Sequence, residues 1–246
     1  MQLPHLWLFT LLSFLLPACA ARSGDESAQH DAWYEFGWLT GSPCTPSFEV
    51  LDTESSLGPY ARHTKSITLG DLARMHGHAC DGLVLAAAAL SVGFEELYPD
   101  GVIDRTDTGC ITNNSPCFGD VAAYLTGGRV RFGTQKIDPT MKRSFVVYRF
   151  STREAVEVTL REGLFPHSLE ELEAKVRSGS FTATEMRDCQ HDQWEFAKGL
   201  LQHPLRESFE TKRLSDLAWK ADAYEHLGPR GDIVNRGTPP KAIEMR

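Results

Sequence analysis

Three side chains able to hold a transition metal fall within five residues, in the string His76-Gly77-His78-Ala79-Cys80. Neutral imidazole and thiolate are the usual ligands of zinc and related divalent metals. On a helix, His76 and Cys80 would share a face and His78 would point elsewhere. In a turn, with Gly77 and Gly82 lending backbone freedom, all three can converge. A further sulfur stands at Cys117, at the head of Cys117-Phe118-Gly119-Asp120 and just after the turn formers Asn113-Asn114-Ser115-Pro116. That places it at a helix N-terminus, where the helix dipole favours thiolate. Ligands from one helix start and another from a second can build a three-ligand site with a coordination position open to water or substrate.

The elements that must position these donors are legible in outline. Gly82 to Leu97 contains good helix formers and is apolar nearly all round, which marks a buried helix rather than an amphipathic one. Pro99-Asp100-Gly101 stops it, and Val102-Ile103 begins a short strand. A second helix runs from about Phe118 to Leu125 and closes at Gly127-Gly128; Val130 and Phe132 then alternate as a strand would. Ser144 to Phe150 and Ala155 to Leu160 read as two more strands, the second with Val156, Val158 and Leu160 on one face. Two helices follow, with capping-box spacing at Ser168/Glu171 and Thr182/Glu185, Gly179 ending the first and Pro204 ending or interrupting the second. This order implies an α+β fold.

At the metal-binding strings the chain resembles the E-type components of formylmethanofuran dehydrogenase and their stand-alone relatives. Their His-Gly-His-x-Cys-Pro-Gly is matched by His76 to Gly82, and their Cys-x-x-Asp with a following helix and Thr-Gly by Cys117, Asp120 and Thr126-Gly127. The stretch ending near His203-Pro204-Leu205 is also similar, and the resemblance spans about residues 67–212. It implies an α-β-α-β-β-β core with a mixed or antiparallel sheet, added C-terminal helices and a bound metal, zinc or another divalent transition metal. By that resemblance His78, Cys80 and Cys117 are ligands, His76 is a fourth ligand or nearby base, and Asp120 orients a ligand from behind. Asp81 replaces the family's proline and adds a carboxylate beside the site; Gly128 and Thr134 stand where the family has Cys and Lys. No Cys-x-x-Cys occurs, so the zinc ribbon of some relatives is absent.

The chain has 246 residues, 41% hydrophobic content and a formal charge of −8, enough for one cored domain with appendages. The acidic balance argues against nucleic acid or anionic lipid as partner. Leu6 to Leu16 is apolar but too short to span a bilayer, and the small residues through Ala21 suit signal cleavage. Residues 1–21 are therefore expected to be an export signal, for a periplasmic protein. Leu16-Pro17-Ala18-Cys19 equally fits a lipoprotein signal, which would tether the chain through Cys19. Residues 22–66 read as a lead-in with little regular structure, 67–212 as the metal-binding domain, and 213–246 as an extension with a disordered tail.

An exported compartment permits disulfides. Cys44 with Cys189 is the expected pair, while Cys110 is open as a partner of Cys117, an extra ligand or resolving thiol, or an inert thiol. Cys189-Gln190-His191 diverges on a helix as a metal clip, Trp194 and Phe196 read as packing, and Arg129 and Arg131 as a solvated strand face. The leading expectation is a metal site that binds a small molecule, with its transformation left open; an enzyme would use His76 or Asp81 to handle the proton. A metal carrier or sensor and a disulfide-stabilised module are the rivals, and a homodimer is left open.

Overall fold

The computed structural model describes residues 36–51, 63–215 and 217–219. The expected leader with Cys19, and the tail after residue 219, lie outside them. In chain order the elements are α1 (Trp38–Gly41), β1 (Ser47–Leu51), β2 (Lys65–Thr68), α2 (Leu69–His76), α3 (Asp81–Leu97), β3 (Val102–Asp104), β4 (Thr108–Thr112) and α4 (Pro116–Thr126). They continue with β5 (Gln135–Ile137), β6 (Ser144–Arg149), β7 (Glu154–Leu160), α5 (His167–Arg177), α6 (Ala183–Leu200), α7 (Leu205–Ser208) and β8 (Phe209–Leu214). The fold is α+β, as its element order implied.

The strands form a three-stranded sheet, β2-β1-β3, and a five-stranded sheet, β5-β4-β6-β7-β8. Both are mixed, with β1–β3 and β4–β5 parallel and the other pairs antiparallel. Helix α3 is the hub: thirteen of its seventeen residues are buried, so it can be surrounded on every side. It packs on β6 and β7 of the larger sheet and touches α2, α4 and α6. The four alanines Ala86 to Ala89, all at 0% exposure, keep the helix thin enough for neighbours to close in from several directions. At Gly93 an added Cβ would lie 2.9 Å from Val147 Cγ2 and 3.1 Å from Val158 Cγ2, so the helix rests directly on two strand valines.

Four local expectations are corrected. Residues 22–66 hold α1, β1 and the start of β2, because Phe48 and Val50 alternate inward and Ile67 pairs with Phe48 across the ladder. Val130–Phe132 is a 3-10 turn instead of a strand; Gly133, at φ 64°, closes it by donating its N–H to the Val130 carbonyl. Helix α5 starts at His167 behind Pro166, whose fixed φ leads into the helix, so Ser168 is already inside and does not cap it. The Thr182/Glu185 box does form, each side chain bonding the other residue's N–H, at 3.2 and 2.9 Å. Strand β8 was not foreseen. Its exposed Glu210, Lys212 and Arg213 obscure the alternation, and as the sheet's edge strand it gains from charge that discourages further pairing.

The α3–sheet contact is open to test. Gly93→Leu forces a side chain against two valines that are stiff at χ1, and should lower stability by about 1–3 kcal/mol. Gly199→Ala on α6, where nothing lies within 4 Å, should instead raise it by up to about 1 kcal/mol. Urea unfolding midpoints at unchanged slope check both.

Candidate metal centre

The site lies where one helix ends and two begin. Helix α2 finishes at His76, and Gly77, at φ 98°, reverses the chain by donating its N–H to the Ala73 carbonyl. A β-carbon is strained there, so glycine suits the reversal. His78 and Ala79 form the link, and Cys80 is the N-cap of α3, its sulfur accepting from the Leu83 N–H at 3.4 Å. The link is pinned from outside by the Trp194 indole, which donates to the Ala79 carbonyl at 3.1 Å. Of the two conformations open to the string, the turn is the one adopted. His76, His78 and Cys80 bring their donor atoms within 4.8 Å of one another.

A fourth sulfur or nitrogen donor, outside that group of three, arrives on α4 beside Cys80. Asn113 accepts from the Ser115 N–H at 2.9 Å and donates to the Lys142 carbonyl at 2.6 Å, fixing the turn that precedes Pro116 at the first helical position. Cys117 follows, and its sulfur lies 3.3 Å from that of Cys80. Gly82 permits this approach, because a β-carbon there would sit 3.1 Å from Cys117 Cβ and 3.2 Å from its sulfur. Asp120, three residues beyond Cys117 on the same helix face, meets His76 Nδ1 at 2.8 Å.

His76 tests whether these residues fit a metal. Its Nδ1 is on a carboxylate, while its Nε2 is buried without a hydrogen-bond partner. A buried polar atom left unmet costs about 1–3 kcal/mol. A metal ligand held from behind by a carboxylate accounts for both nitrogens. Burial, and then the charge of His76, lower the pKa of His78, so it is available as a neutral ligand. The Cys117 thiol is pushed down to about 6, chiefly by its hydrogen bond with Cys80 and against burial, with His76 assisting. Cys80 moves up for the same reason, since the sulfurs share a proton in a buried place. Two sulfurs and two imidazoles form a donor set suited to a soft or borderline divalent metal.

A cavity of about 660 Å³ opens beside the donors, lined among others by His78, Cys80, Asp81, Cys117, Glu173 and Lys142. Of the two residues expected to handle a proton, Asp81 lines this cavity and His76 does not. Burial, followed by the charge of Glu173, raises the Asp81 carboxyl to about 7. Glu173 itself accepts from Gln193 at 2.8 Å and from Arg177 at 3.1 Å. It was missed in the sequence. The available signal was an acidic residue four positions after the buried Leu169, on the inward face of α5.

The described cysteines are all free thiols, so neither the Cys44–Cys189 disulfide nor a Cys110–Cys117 pair forms. Cys44 lies in the turn after α1, where its N–H donates to the Leu201 carbonyl, whereas Cys189 is buried within α6. Cys110 is wholly buried on β4, as an inert thiol would be. His191 is exposed while Cys189 is not, so those two make no clip. Trp194 packs edge-on to Phe36, and the cations beside the cavity are Lys142, Arg143 and Arg177 instead of Arg129 and Arg131.

Residues 75–210, more than half of the chain, match the family described as FmdE, molybdenum formylmethanofuran dehydrogenase operon. Among solved structures the chain is similar to an FmdE-like protein of tungsten formylmethanofuran dehydrogenase from Syntrophus aciditrophicus. The two share 16% identity over 58% of this chain and 67% of that one, with a TM-score of 0.37. Among curated proteins none matches.

Two outcomes follow from the geometry. Asp120→Asn should weaken divalent-metal binding by roughly 10- to 100-fold without unfolding the chain, as read by competition with a chromophoric chelator. Folded Asp81 keeps its proton to about pH 7, whereas the unfolded chain releases it near 3.8. Between these values the folded state binds the extra proton, so this group's contribution falls as pH rises. In metal-free protein the stability of Asp81→Asn relative to wild type should therefore climb from about pH 4 to about pH 7 and then level off, as read by thermal unfolding across pH.

Proposed function

Because this chain belongs to the FmdE family, we propose that it is an exported metal-binding protein whose His/Cys centre holds zinc and offers it to a small molecule in the adjoining cavity. The observation carrying the reading is the orphaned, buried Nε2 of His76, backed by Asp120 and set among three more soft donors. Zinc suits such a donor set without needing redox chemistry. The apolar run Leu6 to Leu16 supports export, by a cleaved signal or with a lipid on Cys19.

The four donors differ in freedom. His76 is clamped by Asp120, Cys80 is a helix cap, and Cys117 is fixed in the first turn of α4. His78 stands between helices on a two-residue link, is half-buried and faces the cavity. It is the donor that can yield a position to an incoming ligand. When bound, the metal supplies a Lewis acid that polarises a carbonyl or lowers the pKa of water. Asp81, protonated near neutrality, can then donate to the ligand, and Glu173, held by Arg177 and Gln193, steadies Asp81. Phe165 and Phe118 give the cavity apolar walls, and the exposed Lys142 supplies a cation. A second reading, a carrier or sensor without chemistry, is favoured by the same four donors if His78 never leaves, since four protein ligands close a tetrahedral site.

Elemental analysis of the purified chain should find about one zinc per molecule, lost in His76→Ala, Cys80→Ser and Cys117→Ser. His78→Ala should retain the metal more weakly and take up added imidazole, visible as a shift in the cobalt-substituted spectrum. Loss of all metal in His78→Ala would favour the closed, carrier-type site, and a wild-type chain that binds none would end the proposal.

A further inference from the structure

The metal ligands include one pair with a second chemistry open to it. Cys80 and Cys117 bring their sulfurs to 3.3 Å. A tetrahedral zinc with its usual bonds to sulfur would hold two sulfurs ~3.8 Å apart, whereas a disulfide needs about 2.05 Å. The observed distance lies between these. Neither sulfur is blocked by a third cysteine, since Cys110 is walled inside β4 and Cys189 is buried in α6. Both line the cavity, Cys117 half-buried and Cys80 at 5% exposure, so a small oxidant reaches Cys117 first. Each sulfur sits at the beginning of a helix, and the Gly82 backbone leaves the gap between them clear.

We propose that Cys80 and Cys117 form a thiol–disulfide switch in which the metal and the disulfide compete for the same two sulfurs. The inference rests on the metal reading above for its competing half, while the disulfide half stands on the sulfur geometry alone. The oxidant is a low-molecular-weight disulfide. The Cys117 thiolate attacks one of its sulfurs and releases one small thiol, leaving a mixed disulfide. The Cys80 thiolate then attacks the Cys117 sulfur and releases the second small thiol. Two protein thiols are oxidised, one small disulfide is reduced, and the two protons end on the two small thiols. With both sulfurs bound together the centre keeps only its imidazoles, and the metal is released. The export proposed above would bring the chain into an oxidising compartment, where bound metal also protects the pair.

The full-length chain tests this. It is stripped with a chelator under reducing conditions, desalted, and exposed to oxidised glutathione with and without one equivalent of zinc. In the metal-free chain peptide mapping should join Cys80 to Cys117, the linked peptides together about 2 Da lighter than the two reduced ones, apart from any glutathione adduct on Cys44. The zinc-loaded chain should close that link roughly tenfold more slowly or worse, because ligated thiolates are not free to attack, and should release zinc as it does so. Cys80→Ser and Cys117→Ser should each stop at a glutathione adduct or free thiol. The proposal is overturned if the pair stays reduced once the partly exposed Cys44 has reacted, or if zinc that is shown to be bound leaves the rate unchanged. A chain that binds no zinc yet forms the link would defeat the metal reading and uphold the disulfide step.

Discussion

Everything at the site depends on the close approach of two helix N-termini, α3 and α4. Helix starts carry partial positive charge and unpaired N–H groups, so two of them side by side repel unless negative charge lies between. Cys80 and Cys117 supply it. One sulfur caps α3 through the Leu83 N–H, the other occupies the first turn of α4, and the two lie 3.3 Å apart, within hydrogen-bonding reach. Gly82 is what makes this sterically feasible, since any β-carbon at that position would press on the Cys117 sulfur. The glycine of the His-Gly-His string serves the other end of the arrangement by turning the chain out of α2. The two glycines therefore set the distances that the donors only use.

The same approach explains why α3 has to be apolar all round. For its N-terminus to meet α4 while its body lies on β6 and β7, no face of it can be left to solvent. That made it the most legible element in the sequence: a run such as Leu83 to Leu90 has no polar face to suggest anything but burial. Strands β6 and β7 were legible for a related reason, since their valines form the floor beneath it. What escaped notice was structure whose stability comes from neighbours rather than its own pattern. Strand β8 is charged along its length and is a strand because β7 offers a ladder, with Ala155 to Leu160 opposite Leu214 to Phe209. Strand β1 is five residues among turn formers and gains its place by pairing on both sides, with β2 and β3. Val130 to Phe132 erred the other way, as alternation over three residues is too short to outweigh the glycine that follows it.

The metal donors could be read because their chemistry is local. Histidines and cysteines at short spacing leave few uses, and Cys-x-x-Asp puts a sulfur and a carboxylate on one helix face whatever surrounds them. The disulfide expectation failed because cysteine count and compartment say nothing about where side chains point. Cys44 is tied to the end of α6 through its backbone, while Cys189 faces the carboxylates of Glu173 and Asp81 from within that helix. Glu173 shows the limit most clearly. Its position on α5 resembles any core position, and its meaning appears only once α5 and α6 fold over the start of α3 and bring it to Asp81.

That lid of helices also decides what kind of centre this can be. A purely structural site would be expected to bury all its ligands equally, with neutral surroundings. Here the donors are graded: the His76 and Cys80 side chains are nearly enclosed, Cys117 and His78 are more open, and all but His76 line a cavity. Across that cavity Glu173 of α5 faces Asp81 of α3, and α5 and α6 supply its two anchors, Arg177 and Gln193, an arrangement costly to bury unless each charge is matched. Arg177 and Gln193 match Glu173, and Asp81 meets the remaining cost by keeping its proton. A neutral acid at the edge of a soft-metal site is not needed to hold the fold together, since an asparagine would fill the same space without the strain of a buried carboxyl. Its presence supports the reading, proposed above, in which the site exchanges a proton with whatever enters beside it.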